Sequence, residues 1–374
     1  MDLTGWRARV GTSIVIVLGM ACVTGVLAST LANRAGLIRM YDATGDASRV
    51  MIMAAKSPSE FNANILPSQV GTILNAPGLA KGSKGETLGD AEIRFRVLPP
   101  PGASWRPISV EGIGAEGIAL RQNFRLVAGR MFEPGLHELL IGRSAQSVYG
   151  LKIGDPILMR GGNWTVVGIF SSGGDVMENG LVADALTVMS GEGISAFGSV
   201  LVKLERPSLF EPLKQWLITN PAMAVGAERQ SDYYIRTAGQ YLGYLNFFSF
   251  FVGAIISIGA LLGSVNIFNA VVSSRSLEIA TFRAIGYRAL PVAASVVVEA
   301  VALALAGAVA GAGGAWLLFD GRQMVTGMGI YSMSVSAPVI ALCAGWAVTL
   351  CLLGSAAPAL RAARLPVSDA LRSS

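Results

Sequence analysis

Four long stretches of the sequence contain almost no charged residues, and they constrain the fold more than any other feature. They cover residues 10–31, 241–272, 291–319 and 337–360, and Glu299 is the only charged residue within them. A helix rises about 1.5 Å per residue and a bilayer has a hydrocarbon core about 30 Å thick, so each stretch is long enough to cross it. The sequence therefore predicts four transmembrane helices, with the first a retained anchor rather than a cleaved signal peptide.

The positive charge is concentrated beside these stretches. The net charge is +5, yet acidic and basic residues nearly balance between residues 33 and 240. The basic residues that flank the helices are Arg7, Arg9, Arg275, Arg283, Arg288, Arg361, Arg364 and Arg372. Short loops rich in Lys and Arg face the cytoplasm. Both termini and the loop at 273–290 are therefore predicted inside and the segment 33–240 outside, and the basic surplus does not indicate nucleic-acid binding.

The long polar segment has the patterns of a mixed α/β domain. Short strands are predicted at 50–54, 93–98, 156–159, 164–170 and 200–204, with helices at 67–74, 143–149 and 208–219. Gly150 should end the second of these helices, and Ser208 with Glu211 should cap the third. The Gly-rich stretch 81–90 is predicted to be a mobile loop. The fold class is an α+β membrane protein: four transmembrane helices with a large mixed α/β extracytoplasmic domain between helices 1 and 2.

Residues suited to catalysis are scarce. His137 is the only histidine and is predicted to lie in a surface loop, while Asp175 and Glu178 fall in a Gly-rich turn that favours a solvated loop. The three cysteines lie in the apolar stretches, and no segment has the Gly-Lys-Ser/Thr ending of a phosphate-binding loop. We expect no catalytic, cofactor-binding or metal-binding residues on this chain.

Small residues follow one face of the third apolar stretch. Ala300, Ala304, Gly307, Gly311 and Ala315 are spaced three or four apart, which lets two helix backbones approach closely in a membrane. Gly307, Gly311 and Ala315 are therefore predicted to be helix-packing residues. A second pair of small residues spaced four apart, Gly259 and Gly263, lies in the second stretch.

Glu299 is the intramembrane polar residue of this set. A carboxylate in a bilayer is costly unless it is paired or lies near the interface. We predict that it lies near the cytoplasmic side and pairs with Arg283 or Arg288.

The inner loop at about 275–287 has the pattern of a short amphipathic helix that is broken at Gly286. Its string Arg275-x-x-Glu278-Ile-Ala-x-x-Arg283-Ala-Ile-Gly286, followed by Glu299 and a Gly-rich span, resembles the MacB/FtsX/LolC-type permeases of mechanotransmitting ABC transporters. The C-terminal string 357–372 and the outer segments at 138–142, 150–156 and 164–169 are also similar to this family. The resemblance implies that the loop is a coupling helix that docks on a cytoplasmic ATPase through Arg275, Glu278, Ile279, Arg283, Ala284, Ile285 and Gly286.

The resemblance also implies a domain division. Residues 1–32 would form the cytoplasmic N-terminus and helix 1. Residues 33–240 would form a MacB-like periplasmic domain with one lobe near 50–75 plus 185–235 and another near 92–182. Residues 241–374 would form an FtsX-like permease domain with spans at 241–272, 291–319 and 337–360.

The function that follows from the resemblance is that of a non-catalytic permease subunit in a bacterial inner membrane. It would transmit movement from a separate cytoplasmic ABC ATPase, which binds the ATP, to the outer domain, and so export or move a substrate outside. Its partners would be that ATPase, a second permease chain (identical or homologous), membrane lipids, and an extracytoplasmic adaptor or lipoprotein. The alternative is a membrane-anchored sensor whose outer domain binds a ligand or activates an extracytoplasmic hydrolase.

Overall fold

The computed structural model describes residues 3–55, 57–62, 64–99, 107–121, 123–220, 223–274, 285, 289–326 and 329–364. The chain divides into two compact units. The helical unit comprises Met1–Gly36, Leu242–Arg322 and Ser332–Ser374, and the sheet unit comprises Leu37–Tyr241 and Gln323–Tyr331. Each unit has its own apolar core.

The described elements comprise both helices and strands. The helices are α1 (Leu3–Thr44), α2 (Pro67–Leu74), α3 (Arg143–Tyr149), α4 (Ala185–Glu192), α5 (Phe210–Ile218), α6 (Gln230–Ser274), α7 (Ala289–Phe319) and α8 (Ala337–Arg364). The strands are β1 (Arg49–Ala54), β2 (Gly89–Val97), β3 (Ile108–Ile113), β4 (Arg125–Gly129), β5 (Glu138–Gly142), β6 (Pro156–Met159), β7 (Gly162–Ser171), β8 (Leu181–Asp184), β9 (Ser199–Lys203), β10 (Val225–Arg229), β11 (Gln323–Thr326) and β12 (Gly329–Ser332).

Four of the described helices are long and apolar enough to cross a membrane. The qualifying segments are Ser13–Thr44, Tyr241–Ala270, Val297–Phe319 and Ala337–Arg361, and each overlaps a predicted span. The full helices α1 and α6 contain 42 and 45 residues. At about 1.5 Å per residue, each is roughly twice as long as a hydrocarbon core is thick.

The sheet unit is built on one sheet with the strand order β10-β1-β9-β2-β3-β8-β5-β7-β4, and β6 pairs with β7. Strand β2 connects its two halves, because Gly89–Glu92 pairs with β9 while Ile93–Val97 pairs with β3. One apolar cluster lies around Val200 and Leu213, and a second around Val110 and Trp164. The mixed α/β composition expected for this segment is therefore confirmed.

Several local predictions are confirmed by the structure. Helix α2 has the predicted bounds, and α3 ends at Gly150, which has a φ of 69° and donates its N–H to the carbonyl of Gln146. Strands β6 and β7 form the predicted hairpin, with Met159 opposite Gly162. In each case the sequence pattern lies within the element itself, so the element could be predicted from the sequence alone.

Two local predictions are wrong. Ser208 does not cap α5: Pro207–Leu209 forms a short 3₁₀ turn, and the helix begins at Phe210 without a side-chain cap. Pro207 suits this first turn because it has a fixed φ and needs no hydrogen bond for its nitrogen. The stretch 81–90 is not loop throughout, because Lys81 bridges to Thr87 and the last two residues belong to β2.

Candidate functional site

The predicted coupling loop connects α6, which ends at Ser274, to α7, which begins at Ala289. Six of its assigned residues lie outside the described residues: Arg275, Glu278, Ile279, Arg283, Ala284 and Gly286. Ile285 is described, and its side chain is exposed. The docking role of this loop therefore stays a prediction.

The predicted packing glycines lie where α7 meets α1 inside the helical unit. A Cβ on Gly307 would lie 2.6 Å from the Cβ of Met20 and 2.8 Å from the carbonyl oxygen of Val17. A Cβ on Gly311 would lie 2.9 Å from the Cα of Ala21, and closer still to the Ala21 carbonyl oxygen and the Thr24 hydroxyl. Real Cβ atoms do not approach this closely, so both positions accommodate the neighbouring backbone only as glycine.

Ala315 lies further along the same helix. It is buried in an apolar cluster with Ala28 of α1 and with Val339 and Cys343 of α8. By contrast, a Cβ on Gly259 or Gly263 of α6 would meet no described atom within 4 Å. The close approach to α1 therefore involves Gly307 and Gly311 of α7, whereas the glycine pair of α6 makes no comparable contact.

Glu299 lies in α7 and is partly buried. Its predicted partners, Arg283 and Arg288, lie outside the described residues. An ion pair between them stays a prediction.

The sheet unit contains a buried network of charges that sequence reasoning missed. Arg94 of β2 donates to the carboxylates of Glu60 and Glu111, the latter at 2.6 Å. Arg121 donates to Glu111 and lies 2.8 Å from Glu92. All of these side chains are at most 8% exposed, so each charge depends on its partners for stabilisation.

The carboxylates of this network titrate differently because their surroundings differ. Burial raises the pKa of Glu92 to about 8 and that of Asp90 to about 6, despite the opposing charge of Arg121. Burial also raises the pKa of Glu111, but Arg94 and Arg121 outweigh it and the net shift is downward. The three carboxylates of Glu60, Glu92 and Glu111 share the two guanidinium groups of Arg94 and Arg121, so these cations offset only part of the effect of burial on the pKa of Glu92.

The prediction of a solvated loop at Asp175 and Glu178 is wrong. Both carboxylates are buried, at 8% and 4% exposure. Glu178 accepts hydrogen bonds from the N–H groups of Ser172 and Gly174, and Asp175 accepts one from the N–H of Glu178. Burial raises the pKa of Glu178, but its backbone donors outweigh burial and lower it. The two carboxylates organise the turn after β7.

His137 is exposed, as predicted, and stacks on the buried Trp164 with ring centroids 4.6 Å apart. This contact gives it a packing role on the sheet rather than a partner for catalysis.

A signal for the buried network was present in β2. The alternation of Ile93, Phe95 and Val97 predicts a strand with one buried face, which places Arg94 on the solvated face. In the structure Arg94 is buried as well, because Glu60 and Glu111, which are distant in the sequence, pack against it. The sequence did contain one indication of this network, because Glu92 and Arg94 have opposite charges and lie two residues apart on the same face of the strand.

Two family models match this chain. The MacB-like periplasmic core domain matches residues 10–219, and the FtsX-like permease C-terminal domain matches residues 250–367. No curated protein matches the chain.

The solved structures that are similar to part of it include two periplasmic or extracellular domains. One is the periplasmic region of MacB from Actinobacillus actinomycetemcomitans, at 14% identity and a TM-score of 0.40 over 54% of this chain and 97% of that one. The other is the extracellular domain of the noncanonic ABC-type transporter YknZ from Gram-positive bacteria, at 14% identity and a TM-score of 0.37 over 48% of this chain and 99% of that one.

The mixed α/β unit and the four apolar helices define a membrane protein with a substantial domain outside the spans. The two matched domains together account for most of the sequence. The chain belongs to the MacB/FtsX-type family of ABC transporter permeases.

Proposed function

We propose that this chain transmits ATP-driven movement from a cytoplasmic ATPase to its extracytoplasmic domain, and so exports or moves a substrate or partner outside the membrane. The observation that carries the proposal is the match of the FtsX-like permease domain over 250–367, which includes the loop at 275–287. ABC permeases of this family work with an ATPase partner, and ATP hydrolysis would take place on that separate chain.

The lengths of α1 and α6 support a mechanical role. Each helix is continuous and is roughly twice as long as a bilayer core is thick. Helix α6 follows β10 directly and continues to Ser274, the residue that precedes the predicted coupling loop. A push on the loop would therefore act on a helix that continues into the sheet unit.

The orientation follows from the distribution of charge. Basic residues flank the spans on the side of both termini and of the loop at 273–290, which favours a cytoplasmic position for them. The sheet unit would then be periplasmic, and the protein would lie in a bacterial inner membrane with the domain division 1–32, 33–240 and 241–374. A second permease chain, identical or homologous, would complete the transporter. An adaptor or lipoprotein would contact it on the periplasmic side of the membrane.

Charge reversal in the loop tests the proposed coupling. We expect Glu278→Lys or Arg283→Glu to abolish ATPase turnover that depends on the permease, because an ion pair with the ATPase would become a repulsion. The readout is ATP hydrolysis by the purified permease–ATPase complex in nanodiscs, with tryptophan fluorescence to show that the permease remains folded.

A matched control is Arg322→Glu, which reverses one exposed charge in the short loop after α7. Turnover should be unchanged in this variant because the loop is assigned to the opposite side of the membrane. If the permease–ATPase complex hydrolyses ATP at the normal rate in both loop variants, the assignment of ATPase docking to Glu278 and Arg283 is wrong.

A further inference from the structure

A cavity of about 460 Å³ lies within the sheet unit, and every described residue that lines it belongs to that unit. Its volume is in the range of small-molecule sites. Aromatic rings form much of its wall: Tyr41, Phe61, Tyr149, Tyr233 and Tyr234. Aliphatic side chains complete the apolar part of the wall: Val176, Val325 and Ile330. The wall is therefore suited to the apolar body of a small organic molecule.

The lining has an exposed part and a buried part. Phe61, Arg96 and Pro107 are exposed, so the cavity opens to solvent beside them. The rings of Tyr233 and Tyr234 are buried and meet edge to face, with centroids 5.1 Å apart. A ligand with one polar end and an apolar body suits these surroundings, because the polar end can stay in contact with water while the body is removed from it.

The charges of the described lining sum to a positive value. Arg94 and Arg96 contribute guanidinium groups, and Glu60 contributes the carboxylate. Arg94 donates to Glu60 and both side chains are buried, so this pair adds no net charge to the wall. Burial raises the pKa of Tyr233 to about 12 and that of Tyr234 well above its usual value, so neither phenol adds negative charge. Arg96 therefore sets the sign of the lining, which favours an anion.

The positions of the guanidinium groups over the rings favour the same sign of ligand. Arg96 and Arg94 lie 5.3 and 6.0 Å from the ring centroid of Phe61, and Arg236 lies 5.3 Å from that of Tyr233. Cations of the protein thus already use these ring faces, which leaves less attraction for a cationic ligand. Stacking occupies a face of the planar guanidinium of Arg96, whereas the N–H groups in its plane match the oxygens of an acid group.

We propose that this cavity binds a small organic anion, whose acid group contacts Arg96 at the exposed part and whose aromatic or apolar body packs against the buried tyrosines. This placement keeps the negative charge beside a guanidinium and near solvent, so the ligand avoids the cost of burying an unpaired charge. The inference goes beyond the proposed function and does not rest on coupling to an ATPase, because binding is measured on the permease chain alone.

Three probes with the same aromatic body separate the charge from the rest of the ligand: phenylacetate, the neutral phenylacetamide and the cationic phenethylamine. With the full chain in phosphatidylcholine nanodiscs, saturation-transfer NMR should show saturable binding of phenylacetate, and binding of the other two at least about fivefold weaker. Empty nanodiscs of the same lipid give the background from partition into the bilayer. This comparison uses the unaltered protein, so it does not depend on whether any variant folds. Equal or tighter binding of the amide or the amine, or no saturable phenylacetate signal above that background, would overturn the proposal.

Two variants place the probe in the cavity. Arg96→Gln should weaken phenylacetate binding at least about fivefold and leave phenylacetamide binding within about twofold, since only the charge contact is lost. Ser59→Trp, at a partly buried lining residue, should abolish binding of both probes because the indole occupies the cavity. The matched control is Arg125→Gln, which removes an exposed arginine of β4 outside the described lining, so phenylacetate affinity should stay within about twofold of the unaltered chain. If either cavity variant is folded by circular dichroism and binds phenylacetate as the unaltered chain does, the proposal is wrong.

Discussion

Replacing Arg94 with Met should lower the free energy of unfolding of the sheet unit by about 3–5 kcal/mol. The guanidinium of Arg94 is bonded to Glu60 and Glu111, and all three side chains are at most 8% exposed. Methionine fills a similar volume but leaves Glu60 without a described cationic partner and Glu111 with Arg121 alone. Urea unfolding of the full chain in detergent, followed by intrinsic tryptophan fluorescence, to which the buried Trp164 contributes, measures the loss.

The exposed pair of Arg236 and Glu228 provides the control. Its closest atoms are 2.9 Å apart, but the side chain of Arg236 is 47% exposed. Arg236→Met should therefore cost less than about 1 kcal/mol. Adding Glu60→Gln to Arg94→Met should recover part of the lost free energy of unfolding, because a buried carboxylate that has lost its cationic partner is replaced by a neutral amide. Equal costs for the two arginine variants would show that the buried network contributes no more than a surface pair.

Replacing Gly311 with Ala should destabilise the helical unit by about 1–3 kcal/mol, even though alanine is the better helix former. The added methyl group would meet the backbone of Ala21 and the hydroxyl of Thr24, so α1 and α7 would have to separate. The melting temperature of the full chain in nanodiscs should fall, as measured by intrinsic fluorescence.

Gly313 lies two residues away on the same helix and serves as the matched control. A Cβ there meets no described atom within 4 Å. Gly313→Ala should therefore leave the melting temperature unchanged or raise it slightly through helix propensity. A fall of the same size in both variants would mean that the contact with α1 does not need glycine.

Features encoded locally could be predicted from the sequence. Apolar length predicted all four long helices, and a single glycine, Gly150, marked the end of α3 at Tyr149. Each signal lies within one element, where helix geometry and hydrophobicity determine the outcome without reference to the rest of the chain.

The buried network could not be predicted in this way. The network joins residues that are far apart in the sequence: Glu60, Arg94, Glu111 and Arg121. Taken alone, each of these charged residues would be expected on a solvated surface. Their burial follows from strand order, because β2 and β3 pair and carry Arg94 and Glu111 as direct cross-strand neighbours. Long-range pairing of this kind leaves little trace in the periodicity of a single sequence.

Accessibility labelling of single cysteines tests the central claim, that the loop and the sheet unit lie on opposite sides of the membrane. In a chain whose native Cys22, Cys343 and Cys351 are replaced by serine, Lys152→Cys reports on the exposed surface of the sheet unit and Ala280→Cys on the loop. A membrane-impermeant maleimide added to intact spheroplasts should label position 152 at once, and position 280 only after the membrane is permeabilised. Labelling of both positions in intact spheroplasts would place the loop outside with the sheet unit, and the loop would then be out of reach of any cytoplasmic ATPase.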